Sequence, residues 1–143
     1  MPLVRVYIPL DPAALTTLRQ TGEVRPAPVA AHAALAPSTR PGIGNDDEER
    51  EYAAWSAAAS DAADRTPDGG RRVIASADVD AAVVRRGTPD DTAVELDTVV
   101  ALPRIASFHI DEEPGSDVPD LLWYDVTELD DVIASVLDDR EQG

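Results

Sequence analysis

Residues 46–65, DDEEREYAAWSAAASDAADR, read as a helix built largely of alanine, and this constrains the fold more than any other segment. Acids crowd its first turn, where unpaired backbone amides favour negative charge. Asp46 precedes Arg50 by four residues and Asp61 precedes Arg65 by four, the favourable order for pairs along a helix. Tyr52, Trp55, Ala59 and Ala62 fall on one stripe. Its small side chains allow close approach to a sheet, with Trp55 as the anchor. The helix therefore implies a sheet, and the flanking segments supply one.

Leu3 to Ile8 alternates, with Val4, Val6 and Ile8 on one face. Asp11-Pro12 then starts a helix, aspartate capping the exposed amides and proline taking the position where no amide is needed. Leu15 and Leu18 give this helix a short apolar stripe, and Gly22 ends it. Prolines and glycines punctuate residues 23–45, leaving Val29 to Leu35 as a short strand or helical turn and 37–45 as a mobile connection. Arg72 to Asp78 is a strand with Val73, Ala75 and Ala77 on one face and Ile74 on the other, which suits a central position. After a loop at 85–92, Val94 and Leu96 alternate with Glu95 and Asp97 as an exposed strand. Ile105 to Asp111 is a further strand, 111–120 an acidic loop, and Leu121 to Val126 the last strand. Leu129, Val132, Ile133, Val136 and Leu137 mark a closing amphipathic helix, with Thr127 as N-cap and Asp130 completing its capping box. The expected fold is α+β: a single domain over 1–143 with a mixed or mostly antiparallel sheet of about five strands. Three helices pack mainly on one face.

Five blocks, VRVYIPLDPAALTTLRQTGEV, DDEEREYAAWSAAA, RRVIASADVDAAV, IASFHIDEE and LLWYDVTEL, occur in this order. The chain resembles in them a small actinobacterial family catalogued only as a domain of unknown function. That resemblance covers most of the chain and implies no activity, substrate or catalytic residue.

Charge narrows the function classes. All twelve basic residues are arginine, against 28 acids, for a net charge of -16. Duplex nucleic acid is bound by cations that displace its counterions, so this surface would repel it. The imbalance is local. Residues 1–45 carry a balance of +2 and residues 46–143 one of -18. Such an imbalance is first of all a solvated surface that keeps a protein soluble; the sharper reading is an acidic face that attracts a basic partner, of which a nucleic-acid mimic is a special case. Without cysteine there is no disulfide, thiolate metal site or cysteine nucleophile. No apolar stretch approaches the roughly 20 residues that span a bilayer, and the first twelve residues lack the pattern of a signal peptide. The expected location is the cytoplasm, with no membrane partner.

Chemistry-bearing residues are few. In an extended strand Ser107, His109 and Asp111 point to one side at intervals of about 6.6 Å. No nucleophile elbow accompanies them, so hydrolase chemistry does not follow. His109 with Asp111 and Glu112 offers an imidazole and carboxylates for a divalent cation, the basis of an alternative reading as a cation-dependent enzyme or sensor. No nucleotide-binding glycine pattern occurs, and no other cofactor is implied. Trp123 and Tyr124 point to opposite faces of the last strand: both pack in the core if helices cover both faces, and one stands exposed to mark an interface if helices cover only one. The favoured reading is a non-catalytic accessory or interaction domain. Its surface is Trp123 or Tyr124 with Glu48, Glu49 and Glu51, and its partner is another protein or a second copy of the chain.

Overall fold

Strand β1 (Leu3–Leu10) buries Val6, Ile8 and Leu10 and gives way at Asp11 to helix α1 (Pro12–Thr21). The Asp11 carboxylate accepts the Ala14 amide at 2.7 Å, and Pro12 occupies the first turn as its missing amide predicts. Leu15 and Leu18 are the buried stripe. Gly22 closes the helix at φ 76°, donating its amide to the Leu18 carbonyl at 2.8 Å. A side chain in this left-handed geometry crowds the backbone, whereas glycine adopts it freely. No atom beyond its chain neighbours lies within 4 Å of where a Cβ would stand, so substitution here tests the backbone alone. Gly22→Ala is expected to lower the unfolding free energy by about 1 kcal/mol in urea denaturation. An unchanged midpoint would mean that the helix end relaxes without strain.

The computed structural model describes residues 3–25, 27–34, 47–66, 70–86, 92–111 and 121–142, without the side chains of 47–50, 86 and 137–142. The connection expected to be mobile, 37–45, lies outside these residues. After α1 come β2 (Glu23–Val24), β3 (Val29–Ala33), α2 (Asp47–Arg65), β4 (Val73–Asp80), β5 (Val84–Arg86) and β6 (Ala93–Leu96). They are followed by β7 (Val100–Ala101), β8 (Ile105–Ile110), β9 (Leu122–Asp125) and α3 (Leu129–Gln142). Seven strands form one antiparallel sheet in the order β5-β6-β3-β1-β4-β8-β9, and β2 pairs with β7 apart from it.

The fold is α+β, with more strands than the five expected. The additions are short, three residues in β5 and two each in β2 and β7, and such lengths show no alternation. Arg85 and Arg86, read from sequence as loop, belong to β5. Strand β6 is not exposed: β3 and β5 flank it, and Val94 and Leu96 are buried. Central β4 lies between β1 and β8 as its two apolar faces require.

Two helices share one face of the sheet. Leu15 and Leu18 of α1 and Leu129, Val132 and Val136 of α3 pack with Val6, Ile8, Leu10, Phe108 and Ile110. Helix α2 covers the other face, setting Ala58, Ala59 and Ala62 against Ile74. Tyr52 does not join that stripe; it is 62% exposed, and the buried line runs through Ala54, Ala58 and Ala62 beside half-buried Trp55. Two polar contacts fix this rotation. The Tyr7 hydroxyl donates to Glu51, and His32 Nε2 meets the Asp61 carboxylate at 2.5 Å. Asp61 thus turns to the sheet instead of along the helix to Arg65.

The approach to α3 also differs from expectation. Asp125, not Thr127, is the cap: its carboxylate accepts the Val126 amide at 2.8 Å and the Thr127 hydroxyl at 3.0 Å. Glu128 accepts the Asp125 amide at 3.0 Å and completes the box around a 3-10 turn, Val126–Glu128, that leads into the helix.

Candidate functional site

Successive residues of a strand face opposite sides, so the polar residues between these core positions emerge on the sheet face that carries α2. The register aligns them: Tyr7 lies opposite Ser76, Ser76 opposite Ser107, and Ser107 opposite Asp125. In neighbouring rows Arg5 faces Asp78, and His109 lies between Ile74 and Trp123. Arg5 grips Asp78 with Nε at 2.6 Å and Nη2 at 3.0 Å. This fork raises the arginine pKa and holds the Asp78 carboxyl below the usual carboxylate range. Burial, reinforced by the bond to Glu51, pushes the Tyr7 hydroxyl above its ordinary range.

His109 is the centre of the arrangement and is 4% exposed. Its Nε2 lies 2.8 Å from Ser76 Oγ and 3.1 Å from Ser107 Oγ. Trp55 of α2 meets the imidazole edge-on at 4.8 Å, and Trp123 of β9 does so at 5.4 Å. Tyr7 joins from behind Trp55 at 5.7 Å. Four rings therefore run from beneath α2 to the end of the sheet, in the T-shaped contacts that aromatic quadrupoles favour. Burial pushes the His109 pKa down to about 4, with the Arg5 charge adding to the shift. The ring is neutral at pH 7, and with its proton on Nδ1 it accepts from either serine hydroxyl. Both hydroxyls are buried, so neither is presented to a substrate. The chemistry available here is positioning: the imidazole fixes the rings on its two sides.

The residues considered as metal ligands diverge. Asp111 is 1% exposed, and Arg72 takes both its oxygens, Nε at 2.9 Å and Nη2 at 2.7 Å, with the Arg72 amide adding a third bond at 2.8 Å. His109 instead turns to the serines. Glu112 lies outside the described residues. Among the described residues no group of three or more histidines, aspartates and glutamates stands together as a metal site.

The residues considered for interaction also separate. Tyr124 is half-buried against the larger core, on the face covered by α3. Trp123 is on the opposite face and 75% exposed. Glu51 is engaged by Tyr7. Glu48 and Glu49 lie in the first turn of α2, and their side chains are among those not described. Reading the sequence alone missed Tyr7 and Ser76. The available signal was polar residues at alternate positions of otherwise apolar strands, Arg5 and Tyr7 in β1, Ser76 and Asp78 in β4, Ser107 and His109 in β8. A separate groove of about 400 Å³ lies beside α1, where exposed Arg25 and Arg65 stand over aliphatic side chains such as Val24 and Val29.

Comparison with known proteins adds a family and no activity. Residues 4–119 match a family model whose description is a family of unknown function. Four of the five sequence blocks fall wholly within that span, and the last, which contains Trp123, follows it. No curated protein and no solved structure matches the chain. Among the described residues no helix is long and apolar enough to cross a membrane.

Proposed function

This chain belongs to the family of unknown function DUF6912, and we propose that it is a non-catalytic, acidic interaction domain of the cytoplasm, binding a basic protein partner at the β9 end of its sheet. The observation that carries this reading is Trp123, 75% exposed on the last strand of the sheet and set edge-on against a buried histidine. Tryptophan held rigid and uncovered supplies large contact area at little entropic cost, and such residues dominate binding energy where they are found. Leu122, 40% exposed, adds apolar surface on the opposite face of the same strand.

Charge selects the partner. Two copies of a chain carrying -16 repel each other, which disfavours self-association at low salt, whereas a cationic segment is steered toward the same surface. Asp125, Glu128, Asp130 and Asp131 are exposed in and after β9 and place acid next to the tryptophan in sequence. An arginine side chain satisfies both features, since its guanidinium pairs with carboxylates and stacks on indole.

The test is fluorescence anisotropy with a labelled arginine-containing peptide at two salt concentrations. Binding should weaken as salt rises, and Trp123→Ala should weaken it about tenfold or more at constant salt. Equal affinity in Trp123→Ala, or no binding at low salt, would overturn the reading. Because the side chain is exposed, the variant is expected to unfold at nearly the wild-type denaturant concentration.

A further inference from the structure

We infer that β9 takes its partner by strand addition, and that the segment it accepts alternates basic and apolar residues. The inference rests on the reading of an acidic interaction domain and adds the mode and the pattern of recognition. Among the described residues β9 is the terminal strand of the seven-stranded sheet: β8 pairs with one side of it, and its other side meets no strand. An edge of this kind presents main-chain donors and acceptors, a template for an extended segment, and on β9 the Asp125 amide is already taken by Glu128, which leaves Leu122 to Tyr124 to pair. The opposite edge is guarded differently. There β5 carries Arg85, paired with Asp97 at 2.6 Å, a charged pair of the sort that blunts edge-to-edge association.

The period of two converts this edge into a pattern. Trp123 and Asp125 face the α2 side, while Leu122 and Tyr124 face the α3 side. Directly opposed residues on paired strands share a face and interact. A segment added beyond β9 therefore places two residues, separated by one, beside Trp123 and Asp125. Both positions favour arginine, by stacking on the indole and by pairing with the carboxylate. The intervening residue and its neighbour fall beside Leu122 and half-buried Tyr124, where an aliphatic side chain extends the core. Four residues of β9 span about 13 Å, so a segment of four to six residues in the order arginine–aliphatic–arginine–aliphatic covers the edge. The buried contacts of the imidazole hold the indole in place before binding, and the aspartate is fixed by its cap to Val126 and Thr127. The edge is preorganised on the face that reads charge.

The experiment uses the full chain and labelled octapeptides of one composition, four arginines and four valines. One alternates; one is blocked, with the arginines together. Two further copies of the alternating peptide carry N-methyl groups on alternate residues, in the two possible registers, so that each removes the amides of one edge. The alternating peptide should bind about tenfold or more tightly than the blocked one. One methylated register should lose binding by a similar factor and the other should retain it, with Trp123→Ala weakening every peptide that binds. Equal binding of all four peptides, sensitive to Trp123→Ala, would overturn strand addition and leave the acidic interaction domain standing. Binding of none at low salt would overturn both. Modifying the peptide backbone leaves the folding of the protein untouched.

Discussion

Asp111→Ala is expected to destabilise the protein by about 3–5 kcal/mol, the largest effect of any single polar substitution among the described residues. The carboxylate is 1% exposed and Arg72 is 8% exposed. Removing the acid takes three hydrogen bonds of 2.7–2.9 Å from the buried Arg72, two from its guanidinium and one from its amide. The desolvation of a charge inside the protein is tolerable only when it is paired and fully hydrogen-bonded. Arg72 stands immediately before β4 and Asp111 immediately after β8, and the Asp111 amide returns a bond to the Arg72 carbonyl at 3.2 Å. The pair therefore clasps the ends of two central strands. Thermal unfolding should show a fall of roughly 10 °C or more for a domain of this size. Replacing both members, with Arg72→Met and Asp111→Leu, should recover part of that loss, since an apolar pair needs no solvation while the backbone amide at position 72 still lacks the carboxylate. A single variant as stable as wild type would show that water reaches the pair. The same measurement bears on function: an aspartate whose removal unfolds the sheet and whose oxygens are held by arginine serves the fold.

The sequence was most legible where a local rule decides the structure. Asp11, Pro12 and Gly22 delimit α1 because capping is a matter of adjacent backbone groups. The alternation of Val73, Ile74 and Ala75 placed β4 at the centre, and Trp123 and Tyr124 were assigned to opposite faces for the same reason. Legibility failed where the deciding partner is remote. The stripe that spacing predicts for α2 includes Tyr52 beside its anchor Trp55, yet an alanine-rich helix has little contrast between its sides. Its rotation is set by Tyr7, 44 residues from Glu51, and by His32, 29 residues from Asp61. His109 was singled out with Ser107 and Asp111, neighbours on the same strand. Its second serine, Ser76, is 33 residues away and visible only once strand register is known. The partner of Asp111 is remote in the same way: 39 residues separate it from the arginine that holds it. The capping of α3 failed at closer range, because the 3-10 turn at 126–128 moves the first cap from Thr127 to Asp125.

His109 gives the second large effect, and its direction follows from burial. The folded state holds its pKa at about 4, against 6.5 for an exposed imidazole, first by desolvation and then through the charge of Arg5. A depressed basic group binds its proton more readily in the unfolded chain. Stability is therefore whole above pH 6.5, declines as pH falls from 6.5 toward 4, and loses nothing further to this residue below that. The loss approaches about 2–3 kcal/mol. Many carboxylates titrate over the lower part of this range, and they are common to wild type and His109→Gln. The difference between the two proteins isolates the imidazole. Glutamine keeps a polar group near Ser76 and Ser107 but has no proton to gain, so the variant is less stable at pH 7.5 and closes the gap as the pH falls. Urea denaturation at pH 7.5, 6, 5 and 4.2 should show the two curves converging, and parallel curves would refute the assignment. Convergence would also connect fold to surface, because the imidazole that resists protonation is the one against which Trp123 rests. As pH approaches 4, the affinity of the β9 edge for an arginine peptide should fall in both proteins as carboxylates are protonated, and fall further in wild type, where the imidazole also gains a positive charge.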